Sequence, residues 1–211
     1  MAKYTLYYFK ANGRAAVARA ILSFVKADWT NITYDYIKDW PAIKKSGLAE
    51  YEQLPVLEVN GKKYCESNAI NIYLGEIFNL MGNNPEENYQ INNLLMTYDD
   101  IFQLVLNIMH ADPDKKDELK KKGEDRMKFF IKKFEKRYVE HGAGKYFLGD
   151  KFTLADIYLC CGILENISLL CPKNFEIKEI APNLGNLVQR VKENELKEFF
   201  EKYNTILSLN L

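Results

Sequence analysis

Between Asn79 and Asn88 the sequence changes its hydrophobic period. Upstream, short β-rich runs alternate with helical patterns; downstream, apolar residues recur only at helical spacing. A strand repeats every two residues and a helix every 3.6, so one layer of structure cannot serve both halves. The chain must fold as a small α/β part followed by an all-helical part. The breaker-rich run Met81-Gly82-Asn83-Asn84-Pro85 marks the change. The division read from this is residues 1–79, a linker 80–88, and a helical domain 89–211, and 211 residues suffice for two modest domains.

In the first part, Tyr4 to Phe9 reads as a strand broken by Asn12-Gly13, and Arg14 to Val25 as a helix with Val17, Ala20, Ile21 and Phe24 on one face. Asn31 to Ile37 reads as a second strand, and Trp40 to Lys45 as a loop or short helix. Val56 to Val59 and Lys62 to Cys65 form a hairpin around Asn60-Gly61, and Ser67 opens a helix to about Phe78. The order β-α-β then β-β-α is thioredoxin-like. It predicts a mixed sheet whose first two strands are parallel through a right-handed crossover.

In the second part, Tyr89 to Met109 is a long helix. Met127, Phe130, Ile131, Phe134 and Tyr138 form one face of another. Thr153-Leu154-Ala155-Asp156 has the form of a capping box and opens an apolar helix to about Leu170, and Pro182 to Asn194 and Leu196 to Tyr203 add two more.

The balance of 29 basic and 29 acidic residues gives no support to nucleic-acid binding, and the Lys115 to Lys122 run reads as a solvated helix face. No apolar stretch has the roughly 20 residues of a membrane span, and no secretory leader precedes the first strand, so a cytoplasmic protein is expected. Cys65, Cys160, Cys161 and Cys171 form no C-x-x-C pair and read as buried, reduced thiols; with His110 and His141 they show no metal-ligand spacing, so no metal site is expected.

Several fragments, in order, carry a resemblance: Leu6-Tyr7-Tyr8-Phe9 with Gly13-Arg14-Ala15, Asp39-Trp40-Pro41, Gln53-Leu54-Pro55-Val56 running to Gly61, Glu66-Ser67-Asn68-Ala69-Ile70, Tyr98-Asp99-Asp100, and Phe152-Thr153-Leu154-Ala155-Asp156. Their order and spacing make the chain resemble a cytosolic glutathione transferase, most of all the sigma class, over nearly its whole length. The resemblance implies the thioredoxin-like plus all-α fold, glutathione as co-substrate, no metal, small hydrophobic electrophiles as second substrates, and a homodimer.

Such an enzyme must hold an anionic tripeptide and present its thiol as an anion. A free thiol has a pKa of about 8.5, and bringing it to about 7 needs about 2 kcal/mol. One charge-assisted hydrogen bond supplies roughly 1.5–3 kcal/mol, so a single hydroxyl suffices. Strand alternation puts Tyr4, Leu6 and Tyr8 on one face and Tyr7 and Phe9 on the other, and does not choose between Tyr7 and Tyr8. The family register chooses Tyr8, which directly precedes Phe9, and gives Arg14 the role of supporting the tyrosine electrostatically.

By the same resemblance, a cis Leu54-Pro55 bond lets Leu54 pair with the cysteinyl backbone of glutathione as an added strand would. Ser67, at a helix start, holds the γ-glutamyl carboxylate, and Glu66 meets the amine. Trp40, Lys44 and Gln53 contact the glycyl end and the peptide backbone, and Lys44 pairs with the glycine carboxylate. Asp100 reaches the glutamyl amine in the neighbouring subunit's site. The electrophile pocket is expected beside Tyr8 and the helical domain, with Phe9, Leu104, Ile108, Leu207, Leu209 and Leu211 as candidate walls.

The prostaglandin-isomerising branch of the sigma class carries a Trp and an extra Asp where this chain has Asn107 and Met96. That weakens the isomerase alternative. A non-catalytic crystallin-type or ligand-carrying relative would have no physical need for the set Tyr8, Leu54-Pro55, Ser67 and Asp100. A disulfide-exchanging relative would need a cysteine within Lys10 to Gly13, which holds none.

Overall fold

The structure, a computed structural model, describes residues 2–203, the side chains of 164, 165 and 168 excepted. Leu207, Leu209 and Leu211 lie outside the described residues. The chain divides into two compact units. One comprises residues 2–80 and the returning segment 195–203; the other comprises residues 81–194.

The first unit is built on strands β1 (Tyr4–Phe9), β2 (Trp29–Tyr34), β3 (Val56–Val59) and β4 (Lys62–Tyr64), with helices α1 (Ala16–Phe24), α2 (Trp40–Lys44) and α3 (Ser67–Ile77). The strand order is β2-β1-β3-β4. β1 and β2 run parallel, and the β1–β3 and β3–β4 pairs are antiparallel, the mixed sheet expected. On β1, Tyr4, Leu6 and Tyr8 are buried while Thr5, Tyr7 and Phe9 are half-buried, so the period of two is real. Asn60 and Gly61 both have positive φ, 50° and 83°, as a two-residue hairpin turn of the right twist demands.

Several bounds differ from the sequence reading: β2 starts at Trp29 instead of Asn31, β4 ends at Tyr64 instead of Cys65, and α1 spans Ala16–Phe24 instead of Arg14 to Val25. β2 ends at Tyr34 instead of Ile37, because the Asp35 carboxylate accepts the N–H groups of Ile37 and Lys38, each at 2.9 Å, and turns the chain. The last helix, α9 (Lys197–Tyr203), packs in the first unit, not with the helical part to which the sequence reading assigned it. Its Phe199 and Tyr203 are buried, the Tyr203 ring lies 6.3 Å from Trp29 of β2, and Asn12 Nδ2 donates to the Tyr203 carbonyl at 3.2 Å.

The second unit contains α4 (Pro85–Met109), α5 (Lys116–Glu140), α6 (Leu154–Ile157), α7 (Leu164–Leu170) and α8 (Pro182–Glu193). α4 starts inside the expected linker, because Asn84 accepts the Glu87 N–H at 3.0 Å and Pro85 suits the first helical position. The buried face of α5 includes Met127, Phe130, Ile131, Phe134 and Tyr138, as their spacing implied.

The capping box at α6 is formed in full. The Asp156 carboxylate accepts the Thr153 N–H at 2.9 Å, the Thr153 hydroxyl at 3.2 Å and, nine residues back, the Phe147 N–H at 2.8 Å. Between α6 and α7 the helix widens to π geometry over Tyr158–Ile163. Gly162 sits in this stretch against the Tyr98 ring, where an added Cβ would come within 2.9 Å of it. Cys160, Cys161 and Cys171 are buried free thiols, but Cys65, between β4 and α3, is only partly covered.

Candidate active site

The sheet topology gathers the predicted residues of the first unit at one edge. β1 ends there at Phe9, parallel β2 ends there at Tyr34, antiparallel β3 begins there at Val56, and β4 ends there at Tyr64. The segments that carry Arg14, Trp40, Lys44, Gln53, Leu54-Pro55 and Glu66-Ser67 all leave or enter the sheet at that edge. With Tyr7 paired to Val56, Tyr8 comes level with Pro55.

Tyr8 is 6% exposed. Its phenol oxygen accepts the backbone N–H of Arg14 at 3.1 Å. Arg14 lies in a 3-10 turn, Gly13–Ala15, that precedes α1. Gly13 has φ +38°, and an added Cβ would stand 2.7 Å from the Tyr8 oxygen, so only a residue without a side chain lets the phenol and the turn meet this way. The neighbouring Tyr7 hydroxyl instead donates to the Glu58 carboxylate at 3.2 Å. Burial, and then the Glu58 charge, raise the Tyr7 phenol above its ordinary pKa.

The Leu54-Pro55 bond is cis, and both residues are buried. Among the described residues, no backbone group takes the N–H or C=O of Leu54. Glu66 has φ 66° and ψ 108°, in the left-handed half of the map where a non-glycine residue is strained. The Ser67 that follows is buried and begins α3, whose N-terminus has no side-chain cap. Uncapped N–H groups and the helix dipole at that end attract an anion.

Trp40 is half-buried at the start of α2 and meets the Phe9 ring edge-on at 5.4 Å. Lys44, at the end of α2, lies 3.7 Å from the Glu52 carboxylate, an exposed pair that a carboxylate ligand could exchange into. Gln53 is exposed, between Glu52 and Leu54. In the second unit, Asp100 is exposed on α4 and Leu104 is half-buried. Ile108 is 1% exposed and faces Gly123 of α5, a core position, which removes it from the candidate pocket wall.

Sequence reasoning passed over Arg19. It is fully buried in α1 and reaches back to the loop that follows Tyr8. Its signal was a single cation inside Ala15-Ala16-Val17-Ala18-Arg19-Ala20-Ile21-Leu22, a segment otherwise apolar.

Fold and edge together define a thioredoxin-like domain with a buried tyrosine, an open backbone segment and an uncapped helix start, in a chain that continues as an all-helical unit. The sequence matches the family profile described as "Glutathione S-transferase, N-terminal domain" over residues 2–76 and that described as "Glutathione S-transferase, C-terminal domain" over residues 99–203. A glutathione S-transferase of Anopheles gambiae is 33% identical over 92% of this chain and 93% of its own, and glutathione S-transferase A of Cavia porcellus is 28% identical over 95% and 97%. The solved structure of prostaglandin synthase D of Nilaparvata lugens superposes with a TM-score of 0.81 at 28% identity, covering 95% of this chain and 98% of that one. The chain belongs to the glutathione S-transferase family of enzymes.

Proposed function

We propose that the protein transfers the sulfur of glutathione to small hydrophobic electrophiles, with Tyr8 donating a hydrogen bond that keeps the sulfur a thiolate. The observation that carries this reading is the bond from the Arg14 N–H to the Tyr8 oxygen. An oxygen that accepts such a bond is polarised and becomes a stronger O–H donor. The Tyr7 hydroxyl, committed to Glu58, is the poorer alternative.

Around Tyr8 we assign Leu54 to the cysteinyl backbone, with Pro55 shaping the turn behind it. Ser67 takes the γ-glutamyl carboxylate at the start of α3, and Glu66 takes the amine. Lys44 takes the glycine carboxylate, with Trp40 and Gln53 alongside. Arg14 supports the tyrosine electrostatically. The open backbone at Leu54 and the uncapped α3 support these roles. Asp100, exposed on α4, is assigned to the neighbour's glutamyl amine in a cytoplasmic homodimer of sigma type. One similar solved structure is a prostaglandin synthase. Here, though, Asn107 is an exposed partner of Gln103 and Met96 is 52% exposed, so neither offers an aromatic cover or an extra carboxylate.

Tyr8→Phe removes the donor and keeps the ring. Conjugation of a chlorinated nitrobenzene is expected to fall about ten- to hundredfold in kcat, with the KM for glutathione within about threefold. Unchanged turnover would reject the assignment.

A further inference from the structure

We propose that Arg19 is a positioning residue of the thiolate site. It holds its cation against the Tyr8 ring and ties the loop between Tyr8 and Gly13 to the last helix, which makes the Tyr8 hydroxyl a stronger and better-placed donor. This rests on the reading of Tyr8 as the donor to the thiolate.

Arg19 has 0% exposure. Its Nη2 donates to the Phe9 carbonyl at 3.2 Å, its Nη1 to the Ala11 carbonyl and to Asn12 Oδ1 (the latter at 3.2 Å), and its Nε to Asn31 Oδ1 of β2 at 3.3 Å. Three of these acceptors belong to residues 9–12, the stretch that begins directly after Tyr8 and ends directly before Gly13. One guanidinium therefore sets where the turn carrying the Arg14 N–H stands relative to the phenol.

The Arg19 Cζ lies 5.6 Å from the centre of the Tyr8 ring and 5.8 Å from that of Tyr203 on α9. Asn12, 3% exposed, accepts from Arg19 at Oδ1 and donates from Nδ2 to the Tyr203 carbonyl at 3.2 Å, which closes the connection between loop and helix. The other cation at this end of α9, Lys202, stands over Tyr203 and Trp29.

A buried guanidinium is costly unless its N–H groups are bonded. An aliphatic residue would fill the space in this helix without that cost. The cation beside the ring favours negative charge on the phenol, so the O–H donates more strongly to an anion. A loop staple alone would need the hydrogen bonds but not the charge at Tyr8.

The test is to titrate the ultraviolet thiolate absorbance of bound glutathione against pH. The chains compared are the wild type, Arg19→Met, which removes the charge, and Arg19→Lys, which keeps it, each with Tyr8 intact and with Tyr8→Phe. Arg19→Met is expected to raise the thiol pKa by about 0.5 unit, a threefold loss of thiolate on the rising limb, and Arg19→Lys by less than half of that. In the Tyr8→Phe background neither substitution should move it further.

Equal shifts with and without Tyr8, or equal shifts for Met and Lys, would overturn the proposal. Should Arg19→Met fail to fold, Tyr203→Leu replaces it. It leaves Arg19 and Tyr8 in place, removes the ring on α9, and is expected to raise the thiol pKa by a smaller amount, only when Tyr8 is present. No shift would overturn the proposal. If Tyr8→Phe alone leaves the thiol pKa at the wild-type value, the tyrosine reading itself fails. If Tyr8→Phe shifts it and the Arg19 and Tyr203 substitutions do not, only the role of Arg19 fails.

Discussion

Asp156 in the helical unit and Arg19 in the sheet-containing unit are both almost wholly buried, at 1% and 0% exposure. Asp156 draws its partners from Thr153 and Phe147, within nine residues of itself, and its work is local: it closes a helix start and pins the strand-like turn before it. Arg19 draws its partners from Phe9, Ala11, Asn12 and Asn31, and its ring contacts extend to Tyr203 near the end of the described chain. A buried charge with local partners reads as architecture. One whose partners converge on the loop after Tyr8 reads, on the proposed function, as support for chemistry.

The largest expected effect breaks the architectural side. Burial pushes the Asp156 carboxyl from 3.8 up to about 6, against the hydrogen bonds from Phe147 and Thr153 that favour its charged form. In the unfolded chain the group titrates at its ordinary value. Between those two pH values the native state therefore holds the extra proton, and stability falls as pH rises. Urea titrations of wild type against Asp156→Asn are expected to show a wild-type advantage that shrinks by about 2.4 kcal/mol from pH 4 to pH 7. The thiol pKa of bound glutathione should not change in the variant. An advantage that grows over that range would contradict the burial account.

The next effect strikes the catalytic side. Gly13→Ala puts a Cβ against the Tyr8 oxygen at a positive φ. It is expected to lower kcat by about thirtyfold while costing no more than about 2 kcal/mol in thermal stability. Full activity in Gly13→Ala would mean that the phenol does not need its place beside the turn. The smallest effect sharpens the choice between neighbours. Tyr7→Phe removes the bond to Glu58 and is expected to leave kcat within about twofold, since that hydroxyl serves the sheet and costs about 1 kcal/mol of stability at most.

What the sequence disclosed follows the same division between local and distant causes. β1 and β3 have the bounds that their short β-rich runs implied, and the capping box was readable because Thr153 and Asp156 are three residues apart. Ile37 looked like strand, but the Asp35 side chain ends β2 before it, a competition between a turn and a ladder that composition does not weigh. Asn84-Pro85 looked like a breaker and is a helix start, because the same two residues serve both purposes. At the proposed site, Tyr8, Arg14 and Leu54-Pro55 were singled out by the family's pattern. Arg19 was not, since nothing in its own helix shows that Phe9, Ala11, Asn12 and Asn31 would converge on it. The packing of α9 beside Trp29 was hidden for the same reason.

The account stands most directly on where the sulfur of bound glutathione lies. A crystal structure of the complex should place that sulfur about 3.2 to 3.5 Å from the Tyr8 oxygen, with the cysteinyl backbone paired to Leu54. A sulfur beyond reach of that oxygen, or a tripeptide lying away from the edge where β1 ends, would contradict it.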